Sequence, residues 1–127
     1  MAAIDTNVLV RLVVRDDLPQ YGKAFRFVNQ HRPVLVTHLS ILELAWVLMS
    51  RYGHGKAKVS QAVKTLLEMR EFSIQQAGVL DQALRTWEGS RADFADCFIL
   101  ESVKAAGGTP LATFDRLLGR QEGCLRL

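Results

Sequence analysis

The sequence predicts an α/β fold of three layers, in which helices cover both faces of a central parallel sheet of four to five strands. Short apolar and β-branched runs alternate along the chain with longer segments whose apolar residues recur at helical spacing. Residues 34–37 are apolar or β-branched throughout, as expected for a strand that is covered on both faces. Because helices separate most of the strands, we expect the strands to pair in parallel.

Size and composition indicate one globular domain over residues 1–127. The chain is 49% hydrophobic and 23% charged, and no apolar run is long enough to span a membrane. No basic segment or apolar run typical of a secretory signal precedes Asp5. Cys97 and Cys124 are therefore predicted to be reduced thiols in the core of a cytoplasmic protein.

The net charge of +3 comes from eleven Arg and five Lys against 13 acidic residues. Arg makes two-point contacts with phosphate and stacks on bases, so an excess of Arg over Lys favours a nucleic-acid partner. The excess is a mild indication, because a basic isoelectric point is common among small domains.

The first strand is expected near residues 2–4, and Asp5, Thr6 and Asn7 form the turn that ends it. The other elements of the first half follow from the same periodicities. The expected helices cover residues 8–15, the segment between the cap Asp17 and the stop at Arg32-Pro33, residues 40–52 and residues 56–69, and the expected strands cover residues 34–37 and 72–74.

The segment 40–52 is unusual because it leaves almost no polar face, so we expect this helix to be buried. Glu43 is the one acidic side chain within it. In the second half, Asp93 opens a helix that Gly107-Gly108 closes. The remaining expected elements are helices at residues 79–88 and 94–106, strands at 110–113 and 124–127, and a helical turn at 116–120.

Four acids occupy comparable places at the ends of these elements. Asp5 and Asp115 each follow an apolar strand, and Glu43 and Asp96 are each expected in the first turn of a helix. Each has a structural alternative. Ser40 with Glu43, and Asp93 with Asp96, fit the spacing of a capping box, and Asp115 is able to cap the turn after it.

Together the four acids point to a divalent cation, because ligands bind at the carboxyl ends of strands in open α/β sheets. Carboxylates removed from water are costly unless they are paired, and converging carboxylates repel each other. Near Asp5, Glu43 and Asp96 the sequence offers no basic neighbour except the more distant Arg11. Oxygen ligands favour Mg²⁺ or Mn²⁺ over zinc.

Other catalytic constellations are missing from the sequence. His31, His38 and His54 lack metal-ligand spacing, and there is no phosphate-binding P-loop. Thr6 and Asn7 after Asp5 depart from the Asp-x-Asp pattern of haloacid-dehalogenase-like phosphatases.

The acids stand in motifs that resemble those of PIN-domain ribonucleases, most closely the VapC-type toxins of bacterial toxin–antitoxin pairs. The resemblance covers essentially the whole chain. It implies that Asp5, Glu43, Asp96 and Asp115 bind Mg²⁺ or Mn²⁺ and that Asn7 supports them. The motifs that carry it are Ile4-Asp5-Thr6-Asn7-Val8-Leu9-Val10-Arg11, Leu42-Glu43-Leu44, Ala92-Asp93-Phe94-Ala95-Asp96 and Thr113-Phe114-Asp115.

Further residues complete the predicted site. Thr6, Ser40 and Asp93 are expected to support the acids, and Thr113 is expected to hold a neighbouring carboxylate through its hydroxyl. The residues predicted to bind the phosphates of the substrate are Arg116, Arg120 and Arg11.

The resemblance implies an endoribonuclease that hydrolyses phosphodiester bonds with metal-activated water and acts as a toxin. It further implies a homodimer and a small antitoxin whose C-terminal segment lies across the site. Large apolar residues beyond the needs of one core agree with a partner groove: Phe25, Phe27, Trp46 and Met49. Two alternatives remain, namely a housekeeping RNA-processing nuclease without an antitoxin and a module that binds RNA or protein without cleaving it.

Overall fold

Six α-helices, one 3₁₀ helix and four short strands make up the chain in the computed structural model, which describes residues 1–127. The chain divides into two compact units, Met1–Ala77 and Gly78–Leu127. Each unit contains one parallel sheet of two strands, so the expected α/β fold with parallel pairing is confirmed.

The N-terminal unit contains four helices and the first two strands. Polar side chains cap three of these four helices. Asp5, Asp17 and Thr37 each accept a hydrogen bond from a backbone N–H in the first turn of the helix that follows. The elements are α1 (Thr6–Val14), α2 (Leu18–His31), β1 (Val34–Val36), α3 (His38–Ser50), α4 (Lys56–Glu68) and β2 (Phe72–Ile74).

The sheet of this unit joins β1 to β2, with Val34 opposite Phe72. The strand expected near residues 2–4 is reduced to a single parallel bridge between Ala3 and Leu35. It is this short because the chain turns at Asp5 and enters α1 at the next residue. The bridge nevertheless leaves Ile4 buried and the Asp5 side chain exposed at the start of α1.

The C-terminal unit begins with α5 and carries the second sheet, in which Leu111 lies opposite Cys124. The predicted cap Asp93 precedes α6, and Gly107 ends it with a positive φ of 74°, which suits glycine. The elements are α5 (Ala77–Glu88), α6 (Phe94–Ala105), β3 (Leu111–Thr113), the 3₁₀ helix (Leu118–Arg120) and β4 (Cys124–Arg126).

The expected central sheet of four to five strands is wrong in extent, since each sheet has two strands of three residues. Strands this short make few hydrogen bonds, so the helices carry most of the packing. Each unit has its own buried apolar side chains, and burying one Leu or Val contributes roughly 1.5–3 kcal/mol. Fully buried examples are Leu9, Ile41, Leu44, Leu48 and Val63 in the first unit and Leu80, Leu84 and Leu100 in the second.

The expectation that the helix now identified as α3 would be buried is wrong for one of its sides. It packs against α1 and α4, which cover Ile41, Leu44 and Leu48. Trp46 and Met49 remain exposed, because a helix that is apolar all round has only part of its surface covered by two neighbours.

Two smaller expectations also need correction. Helix α3 begins at His38 with Thr37 as its cap, so Glu43 lies in the second turn and Ser40 does not form a capping box with it. Cys97 is buried as expected, whereas Cys124 is only partly buried in β4.

Candidate functional site

Asp5 lies where the chain leaves the short bridge and enters α1. Its Oδ1 accepts a hydrogen bond of 3.0 Å from the backbone N–H of Val8, so the carboxylate caps the helix. The residue is exposed, and its second oxygen makes no hydrogen bond within the protein. Capping therefore explains the orientation of the Asp5 side chain but leaves oxygen lone pairs available to a ligand.

Thr6 links this helix start to α3. Its hydroxyl donates a hydrogen bond of 3.1 Å to Oε1 of Glu43, thirty-seven residues further along the chain. Helices α1 and α3 pack against each other, which brings the two side chains into reach. The bond orients the exposed Glu43 carboxylate, which explains why a hydroxyl residue is useful directly after Asp5.

Two clefts flank these side chains, and Asp5 and Asn7 line both of them. The smaller cleft has a volume of about 300 Å³, and the larger one about 640 Å³. The smaller is lined by Asp5, Thr6, Asn7, Glu43, Trp46, Val47 and Arg51. The larger is lined by residues of the first bridge, α1 and α2, namely Ala3, Ile4, Asp5, Asn7, Val8, Arg11, Gln20, Lys23, Ala24 and Phe27.

In the C-terminal unit, Asp96 lies in the first turn of α6 and is half-buried. Burial raises the pKa of this carboxyl above its usual value, and the negative charges of Asp93 and Asp115 raise it further. Asp93 and Asp115 are thus close enough for their charges to act on Asp96.

The capping alternative for Asp93 is only half correct. Asp93 occupies the position before α6, but its side chain makes no capping hydrogen bond. Its exposed carboxylate is consequently free for another role, while it contributes negative charge beside Asp96.

Asp115 follows β3 as expected and caps the next turn, because its Oδ1 accepts a hydrogen bond of 2.7 Å from the N–H of Leu118. The role expected for Thr113 needs correction. Its hydroxyl oxygen accepts a bond of 2.9 Å from the backbone N–H of Asp115 rather than donating to a carboxylate. Thr113 therefore shapes the turn that presents Asp115.

Glu101 provides a useful contrast within the same unit. It is only 6% exposed, yet its carboxylate accepts a hydrogen bond of 2.8 Å from Thr86 and pairs with Lys104 at 3.5 Å. A buried acid with such partners is a structural element. None of the five candidate acids has a comparable pair, since no ion pair involves Asp5, Glu43, Asp93, Asp96 or Asp115.

The three basic residues predicted for substrate binding differ in their surroundings. Arg11 pairs with Asp16 at 2.6 Å, and Tyr52 donates a hydrogen bond to the same carboxylate, so Arg11 is partly engaged within the protein. Arg116 and Arg120 are exposed.

Sequence reasoning missed several residues that line the clefts beside Asp5. Trp46 and Arg51 line the smaller cleft, and Gln20 and Lys23 line the larger one. The sequence had assigned Trp46 to a partner groove, and its place beside Glu43 was detectable from spacing, because a residue three positions after Glu43 lies on the same side of a helix. Lys23 was not detectable, because its position depends on how α2 packs against α1.

Every acid of the candidate site offers oxygen ligands, which fit a hard divalent cation. No group of three or more His, Cys, Asp or Glu side chains is arranged closely enough to hold a metal ion. Asp5 and Glu43 belong to the N-terminal unit, whereas Asp93, Asp96 and Asp115 belong to the C-terminal unit. The donor chemistry of these acids fits Mg²⁺ or Mn²⁺.

The PIN domain family profile matches residues 2–122, and the chain therefore belongs to the PIN domain family. PIN domains are in general nucleases that use divalent metal ions and act on RNA, which agrees with the acidic oxygen donors described above. No protein of curated function and no solved structure matches the chain. None of the helices combines the length and the apolar character needed to cross a membrane.

Proposed function

We propose that the protein is an endoribonuclease that depends on Mg²⁺ or Mn²⁺ and hydrolyses RNA phosphodiester bonds. Asp5, Glu43, Asp96 and Asp115 would hold the metal, and Thr6 and Asn7 would support them. The observation that carries the proposal is the set of acids without an ion-pair partner on a PIN-domain chain. Glu101, which is paired with Lys104, shows by contrast how a structural acid is held, unlike these four.

Neighbouring groups of the chain would orient the carboxylates that hold the metal. Thr6 orients the Glu43 carboxylate, and the backbone N–H of Val8 orients Asp5. Asp93 lies beside Asp96 and adds negative charge that favours a bound cation. A divalent metal in such a site supplies a water of lowered pKa and neutralises charge on the phosphoryl group.

Two substitutions and a chelator test this function. Purified protein is incubated with a labelled single-stranded RNA in Mg²⁺, in Mn²⁺ and in EDTA, next to the variants Asp96→Asn and Glu101→Gln. We expect cleavage in both metals, none in EDTA, none by Asp96→Asn and near-normal cleavage by Glu101→Gln if it stays folded. Cleavage that persists in EDTA and in Asp96→Asn would refute the proposal.

The same assay tests the alternative of a binding module that does not cleave. Such a module would bind the RNA equally well in the wild type and in Asp96→Asn, and neither protein would shorten it. Retained binding with cleavage by the wild type alone supports the nuclease instead.

We further propose that both units, residues 1–127, act as a single nuclease domain, because one family profile spans both. If acids of the two units serve one metal, Asp5→Asn and Asp96→Asn are strongly non-additive, and the double variant is about as inactive as either single one. Additive losses measured in single-turnover cleavage would argue for two independent sites.

The finer proposal is a toxin that a small antitoxin holds inactive in the cytoplasm. An apolar cleft of about 530 Å³ on the N-terminal unit supports a protein partner. Tyr21, Phe25 and Phe72 line it with side chains of α1 and α4, and the basic residues Arg15 and Arg32 lie among them. This lining suits an amphipathic helix with acidic residues on its polar side.

The four large apolar residues singled out in the sequence do not share this cleft. Phe25 lines it, whereas Phe27 and Trp46 line the two clefts beside Asp5. We therefore assign a helix of the antitoxin to the cleft of Phe25 and its C-terminal segment to the clefts beside Asp5, and we retain a homodimer as part of the proposal.

Expression experiments distinguish the toxin from a housekeeping nuclease. Expression of the chain alone in bacteria should stop growth, and co-expression with a short reading frame from directly upstream of its gene should restore it. Phe25→Ser should abolish that rescue while RNA cleavage persists, with Leu18→Ser, at an exposed position of the same helix outside the three clefts described, as the matched control. Light scattering of the isolated chain measures the oligomer. Normal growth without the upstream frame, together with a monomer at tens of micromolar, would favour the housekeeping alternative.

A further inference from the structure

Trp46 is the largest side chain that α3 leaves exposed, with 64% of its surface accessible. It lies three residues after Glu43 and lines the 300 Å³ cleft together with Glu43 and Asp5. The other tryptophan, Trp87, is only 2% exposed and packs against Phe94 with ring centroids 5.1 Å apart. The two tryptophans thus have different roles, and only Trp46 is open to a ligand.

The surroundings of Trp46 are polar, which distinguishes this cleft from an apolar contact surface. Thr6 and Asn7 lie on the α1 side, and Arg51 follows Val47 by one helical turn at the end of α3. The Arg51 side chain is exposed, and its guanidinium makes no ion pair. An open aromatic ring, a free guanidinium and acids in one cleft form a combination that fits a nucleotide, because the ring stacks on a base and the cation contacts a phosphate.

We propose that Trp46 is a stacking platform for an unpaired base of the RNA and that Arg51 contacts the phosphate backbone beside it. This inference rests on the proposed nuclease function and refines its substrate to single-stranded RNA. Bases in a duplex are stacked on their neighbours and do not offer a face to Trp46. The platform lies in the same cleft as Asp5 and Glu43, so the unpaired nucleotide is expected close to the bond that is cleaved.

The tryptophan pair makes a direct test feasible. In Trp87→Phe, Trp46 is the only tryptophan, and its fluorescence is titrated with a single-stranded RNA of about ten nucleotides and with the matching duplex, both in EDTA. We expect saturable quenching by the single strand and little by the duplex. If Trp87→Phe loses its helical circular dichroism, the difference between wild type and Trp46→Phe provides the same signal.

Binding of the same RNA to variants of α3 measures the stacking itself. Trp46→Ala is expected to raise the dissociation constant about 5- to 150-fold, the range for loss of one stacked base. Trp46→Phe should retain most of the affinity, and Trp46→Leu should behave like Trp46→Ala, since Leu keeps apolar volume but cannot stack. Leu39→Ala, at a 62% exposed position of the same helix, is the control and should leave the affinity unchanged.

Several outcomes would overturn the inference. One is quenching of Trp46 fluorescence by the duplex that equals quenching by the single strand. Another is a loss of RNA affinity in Trp46→Leu that is no larger than the loss in Trp46→Phe. A third is an RNA affinity of Trp46→Ala equal to that of the wild type. A change of oligomer on Trp46→Ala, measured by light scattering without loss of RNA affinity, would assign Trp46 to a protein contact. Metal-dependent cleavage that Asp96→Asn abolishes and Trp46→Ala leaves intact would reject the platform while keeping the nuclease. RNA binding that depends on Trp46, without any metal-dependent cleavage, would reject the nuclease while keeping the platform.

Discussion

The two units hold their acids in different ways. In the N-terminal unit, Asp5 and Glu43 each accept a hydrogen bond, from the N–H of Val8 and from the hydroxyl of Thr6. In the C-terminal unit, Asp96 loses solvent and faces the charges of two other acids, so its pKa is raised.

Each unit therefore holds its own acids by a different physical means. Hydrogen bonds orient carboxylates without neutralising them, so the side chains of Asp5 and Glu43 are held in defined orientations. Repulsion among the C-terminal acids costs free energy in the absence of a cation, and a bound divalent ion relieves it. Removing an acid should therefore have different effects on stability in the two units but similar effects on cleavage.

Loss of cleavage is the largest expected effect. Asp5→Asn and Asp96→Asn should each lower single-turnover cleavage in Mg²⁺ roughly a thousandfold, because in the proposed nuclease each removes a charged ligand of a metal that lowers the barrier by several kcal/mol. Gel-resolved time courses with one RNA measure both. If only one variant loses activity, one unit alone carries the chemistry and the comparison between the units fails.

Loss of the hydrogen bond that orients Glu43 should lower cleavage less than loss of an acid. Thr6→Val removes the hydroxyl that donates to Glu43 and should lower cleavage about 10- to 100-fold, the usual range for a residue that positions a ligand. Thr6→Ser keeps the hydroxyl and is the matched control. Equal cleavage rates of Thr6→Val and Thr6→Ser would show that the hydrogen bond from Thr6 to Glu43 does not contribute to cleavage.

Substrate binding should depend on basic residues of the C-terminal unit next to Asp115. The double reversal Arg116→Glu with Arg120→Glu should weaken RNA binding and reduce the salt dependence by about one to two phosphate contacts, since single strands lose roughly 0.7 in the logarithmic slope per contact. Lys58→Glu, an exposed site on α4, is the control. A slope that is unchanged relative to Lys58→Glu would return both arginines to ordinary surface residues.

The smallest expected effect is on the stability of the metal-free protein. The raised pKa of Asp96 means that the folded state prefers the protonated carboxyl, so stability is greatest below the unfolded pKa of 3.8 and declines as pH rises through the folded pKa. Asp96→Asn should therefore unfold at a slightly higher urea concentration than the wild type at pH 7 in EDTA, and the two midpoints should converge near pH 4.

Bound metal is expected to make the wild type more stable than Asp96→Asn, the opposite of the order expected in EDTA. Mg²⁺ bound only to the folded wild type should raise its urea midpoint at pH 7 and leave Asp96→Asn unaffected. Asp81→Asn, which removes an acid paired with Arg85 on α5, is a control that should show no gain in EDTA. A destabilised Asp96→Asn in EDTA would mean that Asp96 is a structural acid like Glu101.

Much of the local structure could be predicted from the sequence because it depends on neighbours in the chain. Asp17 caps α2 and Asp93 precedes α6 as expected, and residues 72–74 form the strand with the predicted bounds. The family could also be predicted, because the acids and their spacing are present in the sequence and the PIN domain family profile spans them.

The tertiary structure decided what depends on packing between elements. Thr6 reaches Glu43 because α1 packs on α3, and Trp46 stays exposed because α1 and α4 cover only the other sides of that helix. The extent of the sheets was decided in the same way, since residue pattern indicates that a segment is extended but not how many partners it finds. Composition and periodicity describe each element separately, whereas the contacts that orient an acid or expose a ring arise only between elements.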